Sequence, residues 1–291
     1  MTNPDHIEGP ALISFSGGRT SGFMLYQILQ AYDGTLPADV YVTFANTGKE
    51  MPETLDFVRD CGEHWDVAIH WLELRVHEER PIYRTEEVTY EIASRKGEPF
   101  EALIERKKML PNPMTRLCTS ELKINVMKRF MQEKGYKEWV NVIGLRYDEP
   151  RRVASQRRIN DSGKNKWESL SPLNSDKVSV ETVGKFWANN DFDLKLANHN
   201  GKTLAGNCDL CFLKGTQTLI NIIRERPDLA DWWLEQEEKV TRLQIESKGV
   251  SGSTDRFRLD RDYIKLVDLA ELEAKQTDFF DDDSRSCFCH D

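Results

Sequence analysis

The sequence predicts an α/β fold, a doubly wound parallel sheet followed by a helical, cysteine-bearing C-terminal region. Three observations predict it. Short apolar runs alternate with amphipathic stretches through the N-terminal half, the pattern of successive βαβ units. A Ser-Gly-Gly turn follows the first apolar run directly. Near Asn198 the character changes, and a stretch punctuated by Gly201, Gly206 and Gly215 carries a Cys-x-x-Cys pair before long helical periodicity resumes.

Taken in order, Ala11 to Phe15 is the first strand, and Thr20 to Tyr32 the first helix, with Phe23, Leu25, Ile28 and Leu29 at near-helical spacing. Val40 to Ala45 is the second strand. Pro52 suits the first turn of the next helix, and Glu53 complements its dipole. Ile69 to Leu74 and Trp139 to Leu145 are the third and fourth strands. Between them Ser120 to Lys134 forms a helix with Leu122, Ile124, Met127 and Phe130 on its apolar side. Val180 to Asn189 is a short helix, and Thr218 to about Arg242 a long helical region interrupted by Pro227. Lys248 to Ser253 reads as a flexible loop, Asp260 to Lys275 as the last helix, and Asp281 to Asp283 as part of an acidic tail.

At 291 residues the chain can bury roughly three quarters of its unfolded surface without a covalent staple. It carries 40 Lys and Arg against 49 Asp and Glu, a net charge of −9, which argues against a protein that coats duplex DNA. No run approaches the ~18 apolar residues of a membrane span. Met1 to Pro10 is polar and does not read as a signal peptide, so a cytoplasmic location is expected. Six cysteines in such a chain point to metal or redox chemistry rather than to a disulfide framework.

The segment Ser16-Gly17-Gly18-Arg19-Thr20-Ser21 stands where a strand hands over to a helix. Backbone N–H groups at a helix N-terminus attract anions, and glycine lets an oxygen approach the backbone. Ser16, Thr20 and Ser21 add hydroxyls, and Arg19 adds a fork-shaped cation. The plainer alternative is a tight βα turn with a hydroxyl cap. A Walker A loop is excluded, because the Gly-Lys-Thr at 201–203 has Leu196 where the first glycine belongs.

This segment resembles the PP-loop of the phosphoadenosine phosphosulfate reductase and ATP pyrophosphatase superfamily. Further ordered motifs extend the resemblance over roughly residues 11 to 215. Phe44-Ala45-Asn46-Thr47-Gly48 with Pro52 to Leu55 resembles the second strand and its helix. Arg116-Leu117-Cys118-Thr119 is similar to the reductases' cysteine-bearing helix start. Val142-Ile143-Gly144-Leu145-Arg146 resembles their fourth-strand segment, and Ser171-Pro172-Leu173 with Phe186-Trp187 the part that follows. The resemblance implies a PP-loop domain over 1–197 and a cysteine-rich helical region with a mobile tail over 198–291. It implies an adenine nucleotide held by Ser16, Gly17, Gly18, Arg19, Thr20, Ser21, Asn46, Thr47, Gly48, Gly144 and Arg146, with its charged end on the loop and its adenine near 46–48. Two departures stand out. Arg19-Thr20-Ser21 replaces the usual Lys-Asp-Ser, and Asn46 replaces a strand-end acid. Both remove carboxylates, which weighs against Mg²⁺-dependent ATP chemistry.

Cys208-x-x-Cys211 places two sulfurs on one ion or cluster. In the iron–sulfur reductases two adjacent cysteines precede such a pair, and Cys118 matches one of them, with Thr119 in place of the other. The resemblance thus implies a [4Fe-4S] cluster on Cys118, Cys208 and Cys211, with Cys287 or Cys289 as the candidate fourth ligand. The alternative is a structural zinc on Cys208, Cys211, Cys287 and Cys289. Cys61 reads as a buried small hydrophobe. Cys289-His290 resembles part of the reductases' C-terminal nucleophile motif. It implies a catalytic Cys289 that attacks the sulfur of the nucleotide, with a thioredoxin-like dithiol as reductant.

Arg146, Arg151, Arg152, Arg157 and Arg158 follow the fourth strand. Strand ends face the ligand crevice, so Arg146 is read as a ligand-contacting, catalytic arginine. Arg157 and Arg158 are read as solvated. The leading functional expectation is an enzyme that reduces or transfers the sulfur of an adenylated sulfate. An ATP-dependent sulfur-inserting enzyme acting on nucleic acid is the alternative. A zinc-stabilised nucleotide-binding protein without redox activity is the third reading.

Overall fold

The computed structural model describes residues 4–199, 202–248 and 255–284. It divides into two compact units, Met1–Phe100 with Thr119–Cys208, and Glu101–Cys118 with Asp209–Asp291. The stretch 101–118 is thus grouped with residues far downstream, and the first unit runs past 197 to Cys208.

The first unit is built on a six-stranded sheet. Its strands are β1 (Ala11–Ser14), β2 (Val40–Ala45), β3 (Ile69–Val76), β4 (Tyr83–Val88), β5 (Trp139–Ile143) and β6 (Trp167–Leu170), in the order β4-β3-β2-β1-β5-β6. All neighbours run parallel except β3 and β4. The antiparallel β4 has a mostly exposed, charged face, Tyr-Arg-Thr-Glu-Glu-Val, and was not expected as a strand. Central strands are covered on both faces and so are mostly apolar. Ala11, Leu12 and Ile13 of β1 are almost wholly buried.

The helices of this unit are α1 (Arg19–Ala31), α2 (Pro52–His64), α3 (Glu98–Lys107, which crosses the unit boundary), α4 (Asn125–Glu133), α5 (Pro150–Asp161), α6 (Pro172–Ser175) and α7 (Val180–Ala188). A π-helical turn, Cys118–Ile124, leads into α4. The two short strands β7 (Asn198–His199) and β8 (Lys202–Thr203) pair with each other. The arginine-bearing stretch after β5 is a helix. Pro150 occupies its first turn, where a missing N–H costs nothing. Connections from β1 lead to β2 on one side, while β5 lies on the other. This reversal of strand order opens a crevice at the carboxyl ends of β1 and β5.

In the second unit Pro227 breaks the long helical region as expected, giving α8 (Thr216–Glu225), a 3₁₀ turn at Pro227–Leu229 and α9 (Ala230–Lys248). The last helix is α10 (Tyr263–Ser284). Trp233, Phe257 and Tyr263 form its buried aromatic centre, and the Trp233 indole donates to Asp209 Oδ1 at 2.9 Å. Glu237 is buried there and accepts the N–H groups of Phe257 (3.1 Å) and Tyr263 (2.8 Å). Lys239 on α9 pairs with Glu101 (2.8 Å) and Glu105 on α3, which accounts for the grouping of 101–118 with this unit. Among the described residues no helix is long and apolar enough to cross a membrane.

Candidate functional site

The loop between β1 and α1 is closed by its own serine. Ser21 Oγ accepts the N–H groups of Ser16 (3.2 Å) and Gly18 (3.3 Å) and donates to the Gly18 carbonyl (2.9 Å). Gly17 holds φ at +73°, and a Cβ there would meet Thr54 Cγ2 at 2.7 Å. Only glycine satisfies both demands. With Ser16 and Gly18 spoken for, the N–H groups of Gly17, Arg19 and Thr20 make no hydrogen bond among the described residues. They stand at the positive end of a thirteen-residue helix, the arrangement that binds an anion.

Arg19 is placed differently from the sequence expectation. Its side chain turns away from the loop into a bidentate pair with Asp193 (Nε–Oδ1 2.7 Å, Nη2–Oδ2 2.8 Å). Nη1 donates to Thr203 Oγ1 at 3.1 Å, and Nη2 also donates to the carbonyls of Leu194 and Leu196. Most of the guanidinium's donors are therefore committed to the segment 193–203. The Arg19 carbonyl in turn accepts the Trp187 indole N–H at 2.8 Å. Arg19 acts as a clamp between the loop and the segment 193–203.

Arg146 lies beside the loop. Its Nη1 donates to Thr20 Oγ1 at 3.0 Å and its Nε pairs with Asp148 at 2.8 Å, while Nη2 makes no hydrogen bond among the described residues. Asp148 also accepts the Val180 N–H, and Glu149 accepts the Arg146 N–H. Gly144 brings the end of β5 close to the loop, and a side chain there would stand 3.5 Å from Ser21 Cα.

The turn after β2 is built from buried polar groups. Asn46 Oδ1 accepts the Gly48 N–H (3.1 Å), and its Nδ2 donates to Glu73 Oε1 (2.6 Å) and to the Ser94 carbonyl (2.9 Å). Glu73, on β3, also accepts Ser94 N–H and hydroxyl at 2.7 Å and Arg75 Nη1 at 2.6 Å. Gly48 has φ +78°, and a Cβ there would lie 3.0 Å from the Gly97 backbone. Asn46 and Thr47 are fully buried, so their side chains shape the turn rather than face a ligand. Glu73 went unnoticed in the sequence, although a glutamate inside the apolar run of a central strand is itself a signal.

Thr47 connects this turn to a cysteine. Its hydroxyl lies 2.8 Å from Glu50 Oε2 and 3.5 Å from Cys208 Sγ. Glu50 and Cys208 also share an antiparallel bridge. Glu50 Oε1 is buried and accepts no hydrogen bond, with Lys123 Nζ at 3.6 Å. An unsatisfied buried acceptor of this kind ordinarily costs about 1–3 kcal/mol, more when charged.

Cys208 closes the first unit. Cys118 opens the π-helical turn and Cys211 lies in the turn before α8, both assigned to the second unit. None of them is in a disulfide, and among the described residues no group of three His, Cys, Asp or Glu is arranged around a common point as a metal site. The donor chemistry nonetheless suits the expected centre. Thiols are the ligands of iron–sulfur clusters and of zinc. Cys61 is wholly buried, and burial pushes its thiol pKa up, which makes it inert. Cys287, Cys289 and His290 lie outside the described residues, as does the 249–253 part of the expected loop.

The chain is 29% identical over 213 residues to an uncharacterised nin-region protein of Escherichia phage lambda, covering 72% of this chain and 67% of that one. It is 27% identical over 155 residues to an uncharacterised protein of Methanocaldococcus jannaschii, covering 53% of this chain and 26% of that one. Among solved structures, U34-tRNA thiolase NcsA from Methanococcus maripaludis with its [4Fe-4S] cluster is similar at 14% identity and a TM-score of 0.38, over 84% of this chain and 76% of that one. The family model described as the phosphoadenosine phosphosulfate reductase domain matches residues 10–178, more than half the chain, and the protein belongs to that family.

Proposed function

We propose that the chain binds an adenylated sulfate and reduces or transfers its sulfur. The observation that carries this reading is the placement of Cys208 at Thr47. It puts a sulfur at the carboxyl edge of β2, the sheet edge that also bears the anion-binding loop. The anionic end of the nucleotide sits on the free N–H groups of Gly17, Arg19 and Thr20, with Arg146 Nη2 as the nearby cation. Cys118, Cys208 and Cys211 would hold the metal centre, which as a [4Fe-4S] cluster would supply electron-transfer capacity. The Cys289 thiolate attacks the sulfonyl sulfur. The sulfur–oxygen bond to the nucleotide phosphate breaks, adenosine phosphate leaves, and an S-sulfocysteine remains. A thioredoxin-like dithiol then releases sulfite and is itself oxidised.

Anaerobically prepared protein with adenylated sulfate, with or without a 3′-phosphate, and a dithiol should release sulfite. Without the dithiol, Cys289 should gain a sulfite-sized mass. Absence of sulfite from both nucleotides overturns the reading.

A second reading, ATP-dependent insertion of sulfur into nucleic acid, is favoured by α5. Arg151, Arg152, Arg157 and Arg158 are all exposed on this one helix of an acidic protein. Arg157 and Arg158 line a groove of about 960 Å³ with Tyr147, itself 56% exposed. Cations beside an exposed aromatic ring suit a single strand. Pyrophosphate release from ATP that depends on added RNA or DNA, without sulfite formation, would establish this second reading in place of the first.

A further inference from the structure

We propose that β4 pairs with β4 of a second copy of this chain, antiparallel and centred on Thr85, so that two six-stranded sheets join edge to edge.

β4 is the end strand of its sheet, and only β3 pairs with it. The ladder fixes which of its backbone groups point outward. Val76 stands opposite Tyr83, and the next pair, 77 with 82, is hydrogen-bonded through the His77 N–H and the Ile82 carbonyl. Alternation then makes Arg75–Arg84, Glu73–Glu86 and Trp71–Val88 the hydrogen-bonded pairs. The Asn46 N–H on the Leu72 carbonyl agrees, because it turns Leu72 toward β2 rather than β4. Thr85 and Glu87 therefore direct their N–H and carbonyl groups away from the sheet, and these groups make no hydrogen bond among the described residues. Such an edge is a template for another strand.

Charged side chains ordinarily guard an edge of this kind against pairing. Here Arg84 and Glu86, both exposed, select one register. A twofold axis through Thr85 sets Thr85 opposite Thr85, Tyr83 opposite Glu87 and Arg84 opposite Glu86. Outward backbone groups then meet outward groups. Arg84–Glu86 becomes a non-hydrogen-bonded pair, whose Cα atoms approach to about 4.5 Å and whose side chains interact most closely. Moving the axis to 84 or 86 sets arginine against arginine or glutamate against glutamate. An axis between residues sets outward groups against groups already bonded to β3. Arg84 also makes no ion pair among the described residues. It stands opposite Arg75, a like charge already bonded to Glu73 (2.6 Å) and Glu86 (2.7 Å). The second copy supplies the carboxylate that Arg84 lacks, twice by symmetry. This edge lies three strands from β1 and its loop, so the inference stands apart from the proposed chemistry.

The test uses the full chain in sedimentation velocity, over a range of protein and salt concentrations. Wild type should dimerise, and less at high salt. Arg84→Glu and Glu86→Arg each set like charges across both symmetry-related pairs, so each alone should weaken dimerisation about tenfold or more. Mixed together, the two variants restore both opposite-charge pairs and should dimerise as wild type does. Thr85→Pro removes an outward N–H without touching a bond to β3, and should abolish the dimer. Circular dichroism distinguishes loss of pairing from loss of the fold, and recovery on mixing does so independently. A wild type that stays monomeric at every concentration overturns the pairing. So does a dimer that persists undiminished in folded Thr85→Pro. Folded charge variants that stay apart on mixing overturn the register centred on Thr85.

Discussion

Replacing Arg19 separates a clamp from a ligand contact. The guanidinium makes a bidentate pair with Asp193 and further bonds to Thr203, Leu194 and Leu196. Side-chain exposures of 11% and 39% place the pair between two regimes. Exposed pairs contribute about 0–1 kcal/mol, and breaking a buried pair costs about 3–5 kcal/mol. Solvent around Asp193 screens part of the interaction, so Arg19→Ala should cost about 2 kcal/mol. Urea unfolding followed by tryptophan fluorescence measures this, because Trp187 is bonded to the Arg19 carbonyl. In a double-mutant cycle with Asp193→Asn, the coupling should be about 1–2 kcal/mol. Asp193→Asn alone should mimic Arg19→Ala, both loosening the segment 193–203 to proteolysis. If Arg19 instead binds the nucleotide, freeing it with Asp193→Asn would tighten anion binding. Arg19→Ala would then weaken anion binding tenfold or more at unchanged stability, and that pair of results would refute the clamp.

Gly17→Ala combines a positive φ with a 2.7 Å contact to Thr54, so it should cost about 2–4 kcal/mol in denaturant titrations and abolish nucleotide binding by calorimetry. Glu237 is pushed up to about 7, mainly by desolvation and against the lowering effect of the Tyr263 and Phe257 N–H groups. Its raised value means that the neutral form is favoured in the fold. Stability should therefore fall as pH rises from about 4.5 through 7, by about 3 kcal/mol at most, and Glu237→Gln should flatten that slope. Asn46→Asp would set a second carboxylate against Glu73, where the amide now stands at 2.6 Å. It should cost about 3 kcal/mol at pH 7, much of it recovered below pH 5 or by adding Glu73→Gln, as unfolding titrations would register.

The parts of this protein that were legible in the sequence are those governed by local rules. Strands β1, β2 and β5 are apolar runs because both faces of the sheet are covered, and the break at Pro227 follows from a missing N–H. The loop was legible for the same reason, since Ser21 and Gly17 act on atoms within a few residues or on one packed neighbour. What sequence reading missed depends on long-range partners. Nothing near Arg19 indicates Asp193, 174 positions away, and fork-shaped donors match a carboxylate as well as a phosphate. The arginines after β5 look like a charged loop until Pro150 is placed in the first turn of a helix. The β4 edge strand escaped because its face is polar.

Of the two carboxylates missing from the loop and from the end of β2, the second has a counterpart elsewhere in the same unit. Asn46 gives its amide to Glu73, so a buried negative charge remains next to the β2 turn, but it is fully occupied by Asn46, Ser94 and Arg75. Thr20 accepts from Arg146, a bond its hydroxyl makes without adding charge to the loop. Arg146 and Arg19 each already face an aspartate, so the local charge beside the loop is close to balanced before any ligand arrives. An incoming anion is therefore attracted mainly by the three free N–H groups and by a helix dipole of roughly half a charge. Such a site discriminates by geometry more than by charge. On the proposed reading, the terminal oxygens of a phosphate or sulfate group take these N–H groups, with Arg146 Nη2 beside the loop making no hydrogen bond among the described residues.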